Sequence, residues 1–183
     1  SARVGDSFIT RPYSISSSPY QAMQGIMEVI VQKAGLFSTY LLEEAKVGDK
    51  VVVGEPTGDF YYDNIRDRET IVAIAGGSGI TPFISMIKSI IEGSDDFNLI
   101  VFYGVRTRSD LLMDLDSVKH EKIKVIPVLS HEEVDGYEHG FITKELISKY
   151  VPAKYSVFTT VTEGIDIRAA GICYSYLTPT FRF

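Results

Sequence analysis

The hydrophobic and polar positions follow two different rhythms along the chain. Up to residue 63, alternating apolar and polar positions rich in β-branched side chains predict strands over 25–33 and 50–55. A short helical stretch over 38–45 lies between them, and Ser38 is placed to cap its start. Short strands with one small helix predict part of an antiparallel barrel or sandwich.

From Thr70 onward, apolar runs alternate with amphipathic stretches. In chain order they predict a strand over 71–75, a helix over 82–92, a strand over 99–103, a helix over 109–119, a strand over 123–129, a helix over 143–150 and a strand over 155–160. Strands that are apolar throughout are covered on both faces, as in a parallel α/β sheet. The polar stretch 63–69 separates the halves. The sequence therefore predicts an α+β protein with two domains, a partial antiparallel β-barrel over 1–63 and a parallel α/β domain over 64–183.

Composition narrows the range of functions. The chain has 183 residues and a formal net charge of −6, which argues against binding the phosphate backbone of a nucleic acid. Its one cysteine, Cys173, excludes an internal disulfide and a cysteine-ligated cluster, and the three histidines have no metal-ligand spacing. The expected location is a reducing cytoplasm. The apolar stretch 71–91 is long enough to span a bilayer, but the glycines and proline in its middle predict a strand, a turn and a helix instead.

A glycine-rich turn over 75–82 joins the first parallel strand to the next helix. Its glycines let the backbone approach a ligand, with Thr81 as the predicted cap and Pro82 at the first helical position. The N–H groups at a helix start favour a phosphate, although a tight connection alone also explains glycines. Pro82 stands where the dinucleotide pattern G-x-G-x-x-G has its third glycine. A hydrolase or transferase is disfavoured because no P-loop lysine or G-x-S-x-G elbow is present.

Five motifs, in this order, resemble those of the ferredoxin–NADP reductase superfamily, which pairs a flavin-binding β-barrel with a nicotinamide-binding α/β domain. They are Arg11-Pro12-Tyr13-Ser14, Gly35-Leu36-Phe37-Ser38, the segment 54–60, the turn 76–82 and Tyr103-Gly104-Val105-Arg106. The first resembles the R-x-Y-S flavin motif of that family and the second its G-x-x-S phosphate motif. The resemblance implies that 1–63 is a partial flavin-binding domain and that 64–183 is an NAD(P)-binding domain.

For the flavin, the resemblance implies a site built on two segments. Arg11 offers a planar, charged fork to phosphate oxygens, and Tyr13 offers an aromatic face to the ring system. Ser14, the predicted catalytic residue, would hydrogen-bond near the ring nitrogen that accepts hydride. The same phosphate is expected at a helix start, beside Gly35, Ser38 and Thr39. Taken singly, these residues also suit a surface arginine, a core tyrosine and an ordinary cap. The implied cofactor is FAD, with FMN as the alternative.

The nicotinamide nucleotide is implied to bind at Gly77, Gly79, Thr81 and Arg106. Thr81 would contact the nicotinamide ribose, and Arg106 the diphosphate or adenosine. After the strand 123–129, the residues 131–133 (His-Glu-Glu) stand where the family often carries an arginine for the extra phosphate of NADPH. Carboxylates repel that phosphate, which favours NADH, whereas Arg106 and Arg108 leave NADPH open.

The resemblance implies an NAD(P)H-dependent flavoprotein oxidoreductase that passes electrons to a one-electron carrier such as an iron–sulfur protein, a ferredoxin or a flavodoxin. Only ten residues precede Arg11, where the family has several strands. We therefore expect either a fragment or a barrel completed differently, with a second copy or a partner subunit covering its exposed edges. Thr159-Thr160-Val161-Thr162 also replaces the Cys-Gly-Pro of the family. The alternative is therefore a non-catalytic nucleotide-binding or regulatory module without a complete flavin site. We identify no motif of the family in the tail 159–183, and its aromatic residues are expected to pack: Tyr174, Tyr176, Phe181 and Phe183.

Overall fold

The computed structural model of the protein describes residues 1–160. Its strands and helices, in chain order, are β1 (Ala2–Val4), β2 (Ser7–Ile9), α1 (Pro19–Met23), α2 (Leu36–Glu43), β3 (Thr70–Gly76), α3 (Thr81–Ile91), β4 (Asn98–Val105), β5 (Ile123–Leu129), β6 (Glu138–His139), α4 (Lys144–Ser148) and β7 (Ser156–Thr160). The strands of the second half pair in parallel, in the order β6-β5-β4-β3-β7. The predicted parallel α/β sheet is confirmed. The tail aromatics and Cys173 lie outside the described residues.

The central strand β3 is apolar because both of its faces are buried. Ile71, Ala73 and Ala75 pack in one cluster with the apolar side of α3. Val72 and Ile74 pack in a second cluster with α4. Each of these five side chains is at most 1% exposed. Since full burial of one aliphatic side chain contributes about 1.5–3 kcal/mol, β3 and its neighbours form the stable centre of the molecule.

The helix α3 matches its prediction, but its start is shifted by one residue. A 3-10 turn, Gly77–Ile80, runs straight into it, so that Ile80 is the N-cap, Thr81 the first helical residue and Pro82 the second. The predictions of Thr81 as the cap and of Pro82 at the first position are therefore wrong, because the preceding turn already has a helical backbone. Within residues 1–160, no helix combines the length and the apolar composition needed to cross a membrane.

Two other helix predictions need correction. The helix α2 spans Leu36–Glu43 and its N-cap is Gly35, so Ser38 lies inside the first turn rather than at the cap. The helix predicted over 109–119 is wrong, since only two 3-10 turns form there, Arg108–Asp110 and Leu115–Ser117. The side chains of Asp110 and Asp114 accept hydrogen bonds from nearby backbone N–H groups, which competes with helix formation.

The two strands predicted before residue 63 do not form in the described chain. The small antiparallel sheet is the hairpin of β1 and β2, whose turn uses Gly5 at a φ of +57°. Segment 25–33 has one isolated bridge, Val29 with Ile15. Segment 50–55 has one backbone pairing, in which Val52 and Ser1 exchange N–H···O bonds at 2.8 and 2.6 Å. A strand needs a neighbour along its length to satisfy its backbone groups, and these segments have almost none.

Candidate functional site

The order of the sheet reverses beside β3, and the glycine turn begins at the carboxyl edge of this reversal. From β3 the chain continues through β4 and β5 on one side, whereas β7 returns on the other side. In open α/β sheets, ligands bind at such a reversal, outside the carboxyl ends of the strands. Here the two strand ends are Gly76 and Thr160, and the glycine turn begins between them. The structure therefore places the predicted nucleotide turn at the edge where this class of sheet binds ligands.

Each of two glycines in the turn has a local reason to be glycine. Gly77 has a φ of +50°, which L side chains rarely adopt. At Gly79 an added Cβ would lie 2.6 Å from the Thr160 hydroxyl oxygen, and that hydroxyl donates to the Gly79 carbonyl at 2.7 Å. The strand β7 thus holds the turn in place. Contacts of Gly77 and Gly79 with a phosphate remain predictions.

The hydroxyl of Thr81 is engaged inside the same turn. It donates to the Ser78 carbonyl at 2.7 Å, and the residue is 4% exposed. Its contact with a nicotinamide ribose stays a prediction, and it would require the turn to open locally.

The carboxyl ends of β4 and β5 form a second group of polar residues. Arg106 is exposed, and its carbonyl accepts the His131 N–H at 2.9 Å, which joins the two strand ends. Glu132 Oε2 accepts the Arg108 N–H at 2.7 Å. Asp110 accepts both the hydroxyl and the N–H of Thr107, and these hydrogen bonds hold the pKa of Asp110 below its ordinary value. A carboxylate is therefore fixed beside Arg106 and Arg108.

Tyr103, which opens the Tyr-Gly-Val-Arg motif, has a structural role. It is fully buried, and its hydroxyl accepts the Leu112 N–H at 3.3 Å. Burial raises the pKa of Tyr103 to about 12, so the hydroxyl stays neutral over the physiological range. The motif thus presents Arg106 to solvent and Tyr103 to the core.

The two segments of the predicted flavin site lie side by side. The Tyr13 and Phe37 rings are 6.2 Å apart between centroids, which brings Arg11-Pro12-Tyr13-Ser14 against the start of α2. Arg11 and Ser14 are exposed, and Tyr13 is half-buried. Arg11 Nη1 donates to the neighbouring Thr10 carbonyl at 2.8 Å, and its other donors face solvent. The structure therefore joins two motifs that are more than twenty positions apart in the sequence.

The start of α2 suits a phosphate through its backbone, not through Ser38. The Ser38 hydroxyl accepts the N–H groups of Ala34 and Gly35 at 2.9 and 3.0 Å and donates to the Gly35 carbonyl at 2.9 Å, and Ser38 is 6% exposed. In the described part of the chain, the N–H groups of Leu36 and Phe37 have no acceptor, as the first turn of a helix requires. Such N–H groups suit an anion, and Ser38 shapes the turn that presents them. Their joint contact with Arg11 on one phosphate stays a prediction.

Sequence reasoning missed the contacts that join this half to α3. Ser85 Oγ donates to the Ser17 carbonyl at 2.7 Å, and Lys88 Nζ pairs with the Glu28 carboxylate. Phe60 packs between the two halves as well, 5.4 Å from the Phe83 ring and 5.3 Å from the Phe158 ring. The available signal for these contacts was the pair Ser85 and Lys88, two polar residues three positions apart in the amphipathic helix α3.

A family model described as the oxidoreductase NAD-binding domain matches residues 73–171, more than half of the chain. The chain therefore belongs to this family of NAD-binding oxidoreductase domains, and its resemblance to the ferredoxin–NADP reductase-like flavoprotein reductases is confirmed.

Individual proteins agree with this assignment. The chain is 33% identical over 159 residues to NADH-cytochrome b5 reductase 1 of Dictyostelium discoideum, covering 83% of this chain and 54% of that protein. It is 30% identical over 158 residues to a flavohemoprotein of Oceanobacillus iheyensis, covering 81% of this chain and 38% of that protein. In fold, it is similar to a ferredoxin NADP+ reductase from Neisseria gonorrhoeae, solved with bound FAD and NADP, with a TM-score of 0.67 and 20% identity, covering 86% of this chain and 69% of the other. The chain thus spans about half or less of the length of these two sequence relatives.

Proposed function

We propose that the protein is an NAD(P)H-dependent flavoprotein oxidoreductase. It takes hydride from a nicotinamide nucleotide onto FAD, with FMN as the alternative, and passes electrons to a one-electron carrier such as an iron–sulfur protein, a ferredoxin or a flavodoxin. The observation that carries the proposal is one of placement. The glycine turn lies at the carboxyl edge of a parallel sheet, where the strand order reverses, and the segment that follows Arg11-Pro12-Tyr13-Ser14 is seated on the helix that starts at that turn.

In this proposal, one group of residues binds the flavin and another binds the nicotinamide nucleotide. Arg11 and the N–H groups of Leu36 and Phe37 would hold the flavin phosphate, while Tyr13 packs along the ring system and Ser14 hydrogen-bonds near its reacting nitrogen. The bound flavin supplies the conversion between a two-electron hydride donor and single electrons. The turn around Gly77 and the side chain of Arg106 would orient the nucleotide. No side chain need act as nucleophile or strong base, so orientation and exclusion of water are the tasks of the protein.

The residues after β5 favour NADH as the hydride donor. Glu132 is pinned by the Arg108 N–H, so its carboxylate has a fixed place near Arg106. A 2′-phosphate brought to this edge would meet that negative charge. The sequence relative from Dictyostelium discoideum is named as an NADH enzyme, which supports the same choice.

The division of the chain is also part of the proposal. Residues 1–63 would supply part of the flavin domain and residues 64–183 the NAD(P)-binding domain. The exposed segment 50–55 would then be covered by a second copy or by a partner subunit. We also propose a cytoplasmic location.

An absorption spectrum tests the flavin directly. Protein purified from cells, or incubated with FAD and freed of excess, should be yellow, and its flavin band should bleach anaerobically on addition of NADH. Arg11→Ala should weaken flavin retention. Arg3→Ala is the matched control, because Arg3 is an exposed arginine of the hairpin whose Nε donates only to the Gly5 carbonyl. Colourless protein that takes up no flavin would refute the proposal.

A second function is favoured by the sparse pairing of the first half. Residues 50–55 pair only through Val52, and the Ser38 hydroxyl is occupied by backbone groups of Ala34 and Gly35. A module that binds the nucleotide but has lost a complete flavin site would have these features. It predicts NADH binding by calorimetry without any NADH-dependent dye reduction, and Arg11→Ala would then have no effect.

A further inference from the structure

Residues 16–28, which we call the docking loop, form a unit closed on itself. At its neck, the Ser16 N–H donates to the Glu28 carbonyl at 2.9 Å. Inside it, Ser18 and Gln21 cap α1 reciprocally, with the Gln21 N–H donating to Ser18 Oγ at 3.1 Å and the Ser18 N–H donating to Gln21 Oε1 at 3.0 Å. The Ile26 N–H then donates to the Gln21 carbonyl at 3.0 Å. These bonds tie the neck of the loop, its helix α1 and its second arm together.

Two side chains of α3 hold three separate points of the docking loop. Ser85 Oγ donates to the Ser17 carbonyl at 2.7 Å. Lys88 Nζ pairs with the Glu28 carboxylate and reaches Gln21 Oε1 at 3.5 Å. Ser85 and Lys88 lie three positions apart and therefore share one face of the helix. The contact is buried near the neck of the loop, where the residues 16–18 are 1–3% exposed.

The docking loop and α3 each continue directly into one of the proposed ligand sites. The loop begins two residues after Ser14 of the flavin motif, and α3 begins at the end of the glycine turn, four residues before Ser85. A displacement of the loop along α3 would therefore carry the flavin motif relative to the nucleotide turn. Hydride transfer depends steeply on the distance and alignment of the reacting atoms.

We propose that Ser85 and Lys88 are positioning residues, which seat the docking loop on α3 and so set the flavin motif in register with the nucleotide turn. This inference rests on the proposed function. Ser85 and Lys88 lie outside both proposed ligand sites. We therefore expect them to affect the rate of hydride transfer but not the affinity for flavin or for the nicotinamide nucleotide.

The exposure of Lys88 and Glu28 allows an effect on the position of the docking loop to be distinguished from an effect on the stability of the fold. The Lys88 and Glu28 side chains are 32% and 42% exposed, and ion pairs this exposed add little to stability. The helix itself is anchored by Phe83, Ile87 and Ile90, each at most 2% exposed. Loss of the pair should therefore leave the thermal midpoint nearly unchanged while freeing the docking loop.

The test compares Lys88→Met with Lys122→Met in the flavin-loaded protein. Lys122 also forms an ion pair, with Asp96, but both partners lie in the second half. In Lys88→Met, the rate of flavin reduction at saturating NADH should fall by about ten- to a hundredfold, since a misplacement of about 1 Å can cost that much. The dissociation constants of flavin and NADH should stay as in the wild type. Lys122→Met should change none of these quantities.

Two further measurements make each outcome decisive. The exchanged pair Lys88→Glu with Glu28→Lys should restore the rate, which a general loss of stability would not do. Hydrogen exchange by mass spectrometry should show faster exchange over 16–28 in Lys88→Met and not in Lys122→Met, with or without flavin. An unchanged rate in Lys88→Met, or unchanged exchange over 16–28, would overturn the inference. Absence of flavin binding in the wild type would instead refute the proposed function, and the exchange data would still test the seating of the loop.

Discussion

Three hydroxyl groups in or beside the two candidate ligand segments donate to backbone carbonyls: those of Ser38, Thr81 and Thr160. All three fix the shape of a turn beside a strand or helix end. The groups left for a ligand are therefore backbone N–H groups and the exposed side chains of Arg11 and Arg106. At the scale of single residues, most of these polar side chains stabilise the turns of the candidate site, and only a few are free to contact a ligand.

Gly79→Ala should destabilise the protein. The added Cβ would lie 2.6 Å from Thr160 Oγ1 and 3.0 Å from Thr160 Cβ, so the turn and β7 must move apart. Overpacking of this kind costs about 1–3 kcal/mol of unfolding free energy, measured by denaturant titration. Gly54→Ala is the control, because a Cβ there meets nothing within 4 Å. Equal stability of the two variants would contradict the close approach.

Glu132→Gln should shift the nucleotide preference toward NADPH. The amide keeps an oxygen for the Arg108 N–H but removes the charge that would repel a 2′-phosphate. We expect the ratio of NADPH to NADH affinity to rise by about five- to tenfold, the effect of removing about 1 kcal/mol of repulsion at a hydrated surface. Titration calorimetry measures both affinities. Glu121→Gln serves as the control, since Glu121 precedes β5 and lies at the opposite edge of the sheet; the same change in both variants would exclude a local effect.

At the scale of elements, α3 is the part that both halves share. One of its sides packs in the apolar cluster under the sheet, its start continues the glycine turn, and Ser85 and Lys88 face the docking loop. Under our proposal, a shift of one of these neighbours would reach the others through the eleven residues of this helix.

The docking loop should loosen in acid. The hydrogen bond from Lys88 holds the pKa of Glu28 below its ordinary value of 4.5. A lowered folded-state pKa means that the contribution is complete above 4.5 and is lost as the pH falls through the lowered value. Hydrogen exchange over 16–28, corrected for its intrinsic pH dependence, should therefore rise below pH 4.5 in the wild type. Glu28→Gln should show fast exchange at every pH, and an identical pH profile in both proteins would contradict this assignment.

At the scale of the molecule, order is distributed unevenly between the halves. Every residue from 42 to 59 is exposed, whereas β3 and most of α3 are buried. Val51, Val52 and Val53 are 53–58% exposed, although their side chains suit the interior of a barrel. The second half carries the stability, and the first half is held to it by a few contacts.

Limited digestion with trypsin should follow this division. Among the sites within residues 1–160, the first cuts are expected after Lys46 and Lys50, because that backbone has almost no pairing and opens at little cost. Lys124, in β5, should resist until the whole molecule unfolds. Mass spectrometry of early time points identifies the fragments. Early cleavage in β5 would show that the parallel sheet is not the stable part.

Prediction from sequence succeeded where one local pattern coincides with complete burial. The strand β5 spans Ile123–Leu129, as its apolar run indicates, and α3 follows its amphipathic pattern to within a residue at each end. It failed over 109–119, where aspartate side chains bond to the backbone, and over 25–33 and 50–55. There, β-branched composition signals a strand, yet a strand forms only when a neighbour is present to pair with it.

The candidate site divides in the same manner. Its motifs could be predicted from the sequence, because each consists of a few adjacent residues. One motif has glycines and a proline at a strand end, and another has an arginine two positions before an aromatic residue. The role of Ser38 and the reason for Gly79 could not be read this way. Each depends on one contact within hydrogen-bond range, and Thr160 is 81 positions from Gly79.

The order of apolar and polar residues by itself determined the parallel α/β half, because burial on both faces of a sheet leaves a local record in the sequence. Short motifs of a few adjacent residues indicated the glycine turn and the resemblance to the family. Only the tertiary structure decided which strands meet beside the glycine turn, which hydroxyl groups are already bonded, and that α3 carries the docking loop. Those features depend on distances between segments far apart in the chain, and no local pattern records them.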